Sequence, residues 1–433
     1  MKLFGVCGSP VLHSKSPLIF AQLIKTSSAE AAYTRVAADS SGEVLFFFNA
    51  LGFSGMNITS PYKKEIVPYL AALDEAAALT GSVNTILRQG DSVKGCNTDH
   101  AGVVNALERR GIPLAGRKCV VLGAGGAAAS AAFGLLKKGA EVILFNRTYE
   151  KARKTAEALG CWAVRWELLK DALHEADIFI SAIPSGIECV RRDWLRKNLI
   201  VFEANYKKPT LLELAESAGC PTIKGEEWLL HQALEAWALF TGEPAGKFEI
   251  DFAALDAAGR EKIKPNISLI GFMGCGKTSV GRRLAEKMDL EFFDSDAEIK
   301  TNEGMEIQKI FEKKGESYFR AKEKAVIEKL GEMKGTVFSC GGGAVVDPEN
   351  RRLLQERSLV IFLFSTLTTC LKRAEGDPRP LLNHEHSLKS AEELFRKRKD
   401  AYFCAADLLV NGEKKIEEVS RKICDEIRQA YGN

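Results

Sequence analysis

The stretch Gly271-Phe-Met-Gly-Cys-Gly-Lys-Thr278 constrains this chain more than any other, because it fits the phosphate-loop pattern G-x-x-x-x-G-K-[ST] at every fixed position. The apolar run Asn266-Ile-Ser-Leu-Ile270 before it predicts a buried strand, and Ser279-Val-Gly-Arg-Arg-Leu-Ala-Glu-Lys-Met288 after it has helical spacing. Strand, glycine loop and helix together turn successive backbone N–H groups and a helix N-terminus into a positive cradle for phosphates. Gly274, Cys275, Gly276, Lys277, Thr278 and Ser279 are the candidate contacts. Lys277 reaches for the outer phosphates, and the Thr278 hydroxyl is placed to hold Mg²⁺.

The loop begins at residue 271 of 433, so most of the chain precedes it, and that length predicts two or three domains. A formal net charge of +3 gives no electrostatic case for nucleic acid or a membrane surface as partner, and no run of 18 apolar residues exists to span a bilayer. The opening Met1-Lys-Leu-Phe-Gly-Val-Cys-Gly8 already reads as strand and turn, so neither a signal nor a transit peptide is expected. The 11 cysteines are odd in number, scattered and without a C-x-x-C pair, which predicts a reducing, cytoplasmic setting. His384 and His386 sit in a polar loop without metal-ligand spacing.

The first hundred residues alternate short apolar runs with helical stretches, an α/β pattern. Strands are expected at Leu3 to Cys7, at Gly55-Met-Asn-Ile-Thr-Ser-Pro61, at Ser82 to Leu87 and at Ser92 to Gly95, with helices from Ser16 and over Glu65 to Leu73. A new βαβ unit starts at Arg117. Its strand runs into Gly123-Ala-Gly-Gly-Ala-Ala128, a G-x-G-x-x-A dinucleotide fingerprint. At the end of the next strand, Glu141 to Phe145, a carboxylate would grip an NAD ribose, but the chain reads Asn146-Arg147-Thr148. A guanidinium there suits a 2′-phosphate and favours NADP. Glu226 to Phe240 is an amphipathic helix carrying Trp228, Gln232 and Trp237.

Beyond the phosphate loop, Leu290 to Asp296 reads as a strand ending in two acids, Asp294 and Asp296, two apart and so on one side. Helices follow over Gly304 to Lys314 and from Gly315, then a strand runs from Gly335 into Gly341-Gly-Gly343. Leu359 to Phe364 is a fully apolar strand, Gly376 to Leu382 a proline-punctuated loop, and a last helix leads to Tyr402. Asp407 to Val410 reads as an edge strand.

His13-Ser14-Lys-Ser16-Pro17, Asn57-Ile-Thr59-Ser-Pro61-Tyr-Lys63, Val83-Asn84-Thr85 and Asn97-Thr-Asp99 together resemble shikimate dehydrogenase over about residues 1 to 250. The resemblance implies reduction of 3-dehydroshikimate to shikimate with NADPH. It implies Lys63 and Asp99 as the catalytic pair, Ser14 and Ser16 on the substrate carboxylate, and Thr59, Asn84, Tyr206 and Gln232 in further substrate contacts. For the cofactor it implies Gly123, Ala124, Gly125, Gly126, Ala127, Asn146, Arg147, Thr148, Lys151, Ala204 and Gly225. The residue types suit the chemistry, since hydride attack on a ketone pushes negative charge onto oxygen and an oriented ammonium can stabilise it and supply a proton. The sequence departs from the family pattern at Phe20-Ala21, where His-Asn is frequent, and at Glu203, Lys151, Trp228 and Ala233, where Asp, Arg, Met and Gly are usual. Trp228 either narrows the nicotinamide pocket or packs in the core.

Residues from about 266 to 433 resemble shikimate kinase. The resemblance implies ATP on the phosphate loop, Asp294 near Mg²⁺ with Thr278, Asp296 on the substrate hydroxyls as base, and Arg320 and Arg398 clamping the shikimate carboxylate. Gly341, Gly342 and Gly343 approach the ring, and Arg379 of Arg-Pro-Leu-Leu382 contacts the transferring phosphate.

The expected organisation is α/β throughout: an N-terminal α/β substrate domain plus a Rossmann NADP-binding domain, followed by a P-loop kinase domain with a parallel sheet. Residues 1–252 form the dehydrogenase part, with the substrate domain about 1–101 plus a returning helix about 226–252 and the Rossmann domain about 102–225. A linker over 253–264 leads to the kinase part, 265–433. The leading expectation is a bifunctional enzyme that makes shikimate and phosphorylates it. Action on quinate or another polyol, and a sensor that has lost chemistry, are the alternatives; the presence of Lys63, Asp99, Lys277 and Asp296 weighs against the sensor. The sequence leaves an oligomer open.

Overall fold

The computed structural model describes residues 1–184, 189–205, 210–248, 264–330, 332–374 and 387–432. Tyr206, Arg379, His384, His386, the loop 376–382 and residues 253–263 of the expected linker lie outside them. The chain forms two compact units, one of Met1–Phe53 with Asp251–Asn433 and the other of Ser54–Ile250.

In the first unit seven strands run side by side: Glu291–Asp294, Thr336–Ser339, Asn266–Ile270, Ser358–Phe364, Leu408–Asn411, Ala31–Ala37 and Lys2–Gly8. Every neighbouring pair is parallel. Such strands are covered on both faces, which is why Ser358–Phe364 is buried at every position. Leu408–Asn411 is therefore not an edge, as its sequence suggests. It bonds to Ser358–Phe364 on one side and to Ala31–Ala37 on the other. One apolar cluster accordingly joins Val6, Val11, Leu12 and Ala37 to Leu408, Val410, Val419 and Ile423. Val419 and Ile423 lie on the C-terminal helix Ile416–Tyr431. The long helix Ile307–Lys329 breaks at Gly315, whose backbone is non-helical (φ 79°, ψ 169°), at the division the sequence predicts between two helices.

The second unit holds two sheets. A six-stranded parallel sheet runs Thr222–Ile223, Ile200–Glu203, Ile178–Ser181, Lys118–Leu122, Glu141–Phe145, Trp162–Ala163. Strand order reverses beside Lys118–Leu122, the switch point where ligands bind in open α/β sheets. A smaller set, Gly55–Ile58, Thr85–Gln89, Ser92–Cys96 and Ala72–Leu73, is mixed, with its first three strands antiparallel. The helix expected over Glu65 to Leu73 does not form as one piece. A turn of helix, Tyr62–Glu65, gives way to a 3-10 turn, Val67–Tyr69, and a short strand. Pro68 has no N–H to donate and its ring obstructs a continuing helix.

Candidate active sites

In the second unit the chemistry gathers where Tyr62–Glu65, the segment before Thr85–Gln89 and the start of the helix Asp99–Arg109 meet. Lys63 Nζ lies 2.6 Å from Asp99 Oδ2, with the lysine side chain 23% exposed and the aspartate 8%. The pair is half-closed, so the attraction between its charges is strengthened without the pair being sealed from a ligand. Asn84 Nδ2 donates to Asp99 Oδ1 at 2.9 Å and to Gln232 Oε1 at 3.2 Å. The carboxylate is thus held at both oxygens. Asn84 Oδ1 in turn accepts the backbone N–H of Thr98 at 2.8 Å, which fixes the entry to the Asp99 helix. Thr59, half-buried, follows the strand Gly55–Ile58 and accepts the Tyr62 N–H on its carbonyl.

This cluster abuts the glycine loop. A Cβ at Gly126, the first residue of the helix Gly126–Lys137, would come within 2.4 Å of Ser82 Oγ, and Asn97 Nδ2 donates to Ser130 Oγ on that helix at 2.9 Å. Leu122 is the register partner of both Phe145 and Ser181, and Ser181 of Glu203. Gly123 to Ala127, Asn146 to Lys151 and Ala204 therefore leave the same C-terminal edge of the sheet, and Gly225 packs against the Ala204 carbonyl. Arg147 and Lys151 are exposed there. Thr148 precedes the helix Tyr149–Leu159, but its side chain makes no cap hydrogen bond. Trp228 is buried, donates its indole N–H to the Asp99 carbonyl at 2.8 Å and meets Phe202 edge-on. It packs in the core and braces the Asp99 turn.

Ser14 and Ser16 belong to the first unit, both buried, with Ser14 Oγ donating to Ser16 Oγ at 3.2 Å.

The phosphate loop of the first unit needs its glycines. Gly274 and Gly276 have φ of 75° and 101°, and a Cβ on Gly274 would stand 2.2 Å from the Cys370 carbonyl oxygen. Lys277 Nζ donates to the carbonyls of Gly271 and Phe272, both at 3.0 Å, which fixes the ammonium over the loop. Thr278 Oγ1 donates to Asp294 Oδ2 at 2.8 Å. Asp294 ends its strand and caps the helix Ser295–Glu303, accepting the N–H groups of Asp296 and Ala297. Asp296 therefore sits in the first turn of that helix and not on the strand beside Asp294. Strand alternation is the wrong reason for their proximity; the cap is the right one. A single carboxylate and a hydroxyl beside a phosphate cradle suit Mg²⁺, which takes few protein ligands when phosphates and water supply the rest. Among the described residues no cluster of three or more His, Cys, Asp or Glu could hold a metal alone.

Two cavities meet here. One of about 670 Å³ is lined by Asp296, Arg320, Glu323, Gly341 to Gly343 and Arg398. The other, about 330 Å³, is lined by Gly274, Gly276, Lys277, Ser279 and Arg373. Thr278, Asp294, Asp296 and Gly342 line both. Arg320 Nη1 donates to Glu323 Oε2 at 2.6 Å, and Arg398 Nη1 to the Gly342 carbonyl at 3.1 Å. Burial pushes the Glu323 carboxyl above its usual range, against the pull of Arg320. Sequence reasoning missed Arg373, one of two cations in the last turn of the helix Leu367–Arg373; its Nη1 donates to the Gly412 carbonyl at 2.8 Å, and it lines the phosphate cavity.

Gly341 and Gly343 leave no room for a side chain. A Cβ on Gly341 would lie 2.5 Å from Glu323 Oε1 and 2.8 Å from Asp296 Oδ1, and one on Gly343 2.6 Å from the Arg320 guanidinium. Gly341→Ala is expected to displace Asp296 and lower kcat/KM for the acceptor alcohol about a hundredfold, the usual cost of a 1 Å misplacement. Carbonyl reduction by the same variant, followed as NADPH absorbance, should be unchanged.

Family models match residues 6–86 as shikimate dehydrogenase substrate binding domain and 106–213 as shikimate / quinate 5-dehydrogenase. The shikimate dehydrogenase (NADP(+)) of Pyrococcus abyssi is 38% identical over 248 residues, 56% of this chain and 93% of that protein. The chain belongs to the shikimate dehydrogenase family. Its remaining part is a shikimate kinase domain, matched over residues 273–428. One chain thus joins a shikimate dehydrogenase to a shikimate kinase, two shikimate-pathway enzymes. Among solved structures, the Aquifex aeolicus shikimate dehydrogenase superposes with a TM-score of 0.55 at 29% identity, covering 60% of this chain and 98% of its own. The Thermus thermophilus enzyme in complex with NADP(H) and shikimate gives 0.53 at 30% identity, covering 60% and 99%. No helix among the described residues is long and apolar enough to cross a membrane, and all 11 cysteines are free.

Proposed function

We propose that the chain reduces 3-dehydroshikimate to shikimate with NADPH and then transfers the γ-phosphoryl group of ATP to the shikimate 3-hydroxyl. The observation that supports the reading is the pairing of Lys63 with Asp99 in one cluster and the position of Asp296 on the wall shared by two cavities in the other.

In the first reaction Lys63 holds its proton toward the carbonyl oxygen that gains charge as hydride arrives, and Asp99 keeps the ammonium oriented. Thr59, Asn84, Tyr206 and Gln232 bind ring hydroxyls, and Ser14 and Ser16 the carboxylate. The loop Gly123 to Ala127 and Gly225 let the protein backbone approach the cofactor, while Arg147 and Lys151, both exposed cations, select the 2′-phosphate of NADP over NAD. In the second reaction Arg320 and Arg398 take the carboxylate through planar forks. Asp296 orients the acceptor hydroxyl and accepts its proton. Lys277, Arg379 and the loop N–H groups neutralise the charge that spreads over the phosphoryl oxygens. Thr278 and Asp294 would hold Mg²⁺, which supplies charge neutralisation between the phosphates.

Functionally the chain divides as a dehydrogenase part over 1–252, a linker over 253–264 and a kinase part over 265–433. Free cysteines throughout support a cytoplasmic setting. The test is one incubation of the whole chain with 3-dehydroshikimate, NADPH, ATP and Mg²⁺. Shikimate 3-phosphate should accumulate one for one with NADPH lost. Excess EDTA should stop the sequence at shikimate without slowing NADPH oxidation. No NADPH loss, or no phosphorylated product from added shikimate, would remove the corresponding half.

A further inference from the structure

The loop that follows the first strand, residues 9–15, carries Ser14 and leads to Ser16. It is held by the far end of the chain. Glu426, on the C-terminal helix Ile416–Tyr431, is 1% exposed, and its Oε2 accepts the backbone N–H of Val11 at 2.7 Å and of Leu12 at 2.9 Å. Two buried amides converging on one carboxylate oxygen make a charge-assisted anchor, and a buried N–H left without a partner is costly. Lys422, one helical turn earlier, donates to Ser9 Oγ at 2.6 Å and to the Ala38 carbonyl at 3.0 Å. Its Nζ also lies 2.9 Å from Asp39 Oδ1 and 3.6 Å from Glu426 Oε1. The other side of the loop is closed by Arg35, whose Nε and Nη2 donate to the Ser14 carbonyl at 3.1 and 2.8 Å while Nη1 reaches the Asp407 carbonyl at 3.4 Å.

The geometry points to Glu426 as a positioning residue for the dehydrogenase reaction, contributed by the kinase domain, which sets the loop that presents Ser14 and Ser16 to the substrate carboxylate. It lies within the segment matched as shikimate kinase, yet its hydrogen bonds go to the segment matched as dehydrogenase substrate domain. It lines neither kinase cavity. A helix of the second enzyme therefore completes the substrate grip of the first. The inference rests on the reading of Ser14 and Ser16 as carboxylate ligands.

The test uses the full chain and four single variants. Glu426→Ala removes the acceptor of both N–H groups and is expected to raise KM for 3-dehydroshikimate about tenfold, with kcat for NADPH oxidation and kcat/KM for shikimate phosphorylation each within about twofold of the parent. Glu426→Gln keeps an amide oxygen for the two N–H groups and should bring KM back to within about threefold of the parent. Arg35→Lys, which loses the fork on the Ser14 carbonyl, should raise the same KM. Ser14→Ala tests the underlying reading: if it leaves KM for 3-dehydroshikimate unchanged, the carboxylate assignment fails, whatever Glu426 does. If Ser14→Ala raises KM but Glu426→Ala does not, with phosphorylation intact, the positioning role is overturned. It is equally overturned if Glu426→Ala abolishes both activities while Glu426→Gln matches the parent in every constant, since Glu426 then serves folding alone.

Discussion

Lys63→Ala is expected to lower kcat for reduction of 3-dehydroshikimate about a thousandfold, within the range that a positioned general acid contributes. The argument starts from the bond. Lys63 is held at 2.6 Å by Asp99, and Asp99 is held in turn by Asn84 at 2.9 Å, so the ammonium has a fixed direction before any substrate arrives. Alanine removes both the proton and the positive charge that meets the developing alkoxide. Asp99 keeps its contact to Asn84, so the local fold should persist, and affinity for NADP⁺ measured by calorimetry should be unchanged. Phosphorylation of added shikimate should proceed at the parental rate. If reduction stays within tenfold of the parent, Lys63 is not the proton source.

Lys277→Ala should have the opposite selectivity, with kcat/KM for phosphorylation falling about a thousandfold, as when one preorganised donor to a transition-state charge is deleted. Two carbonyls, Gly271 and Phe272, fix the Lys277 ammonium at 3.0 Å each over a loop whose path takes positive φ at Gly271, Gly274 and Gly276. Arg373 lines the same cavity, but its Nη1 is bonded to the Gly412 carbonyl, so it does not replace the lost ammonium. NADPH oxidation with 3-dehydroshikimate should be unaffected, and shikimate should accumulate. Loss of both activities in a folded variant would show that the two chemistries are not separable.

Local signals were legible where local physics decides. The strand before Gly271, the glycine loop and the helix after it follow from a short apolar run and positive-φ glycines, and the break at Gly315 from one residue. The sequence was misleading where a distant partner or a single missing donor decides. Asp407 to Val410 reads as an edge strand, yet its outer neighbour, Ala31–Ala37, lies far away in the sequence. The apolar spacing from Glu65 to Leu73 suggests a helix, and Pro68 overrides it. Asp294 and Asp296 are legible as a pair, but their geometry comes from a helix cap that strand alternation does not describe. Trp228 was ambiguous in sequence because a large ring suits a core or a pocket equally. Its hydrogen bond to the Asp99 carbonyl resolves its packing. The C-terminal helix carries no motif, although Glu426 on it makes one of the longest-range contacts among the described residues.

The pairing of Ala31–Ala37 with Leu408–Asn411 also sets a clock on biosynthesis. The Thr34 hydroxyl donates to the carbonyl of a residue 372 positions later. At the usual 5–20 residues per second, the early strand waits roughly 20 to 75 s for its neighbour to leave the ribosome. During that time it is an open sheet edge, the kind of surface on which strands of other chains can add. Arg35, in the middle of that strand, is a charge of the sort that discourages such pairing. The earlier strand is thus completed only by the later one, and a nascent chain cut before residue 408 would carry an unpartnered edge into the cell.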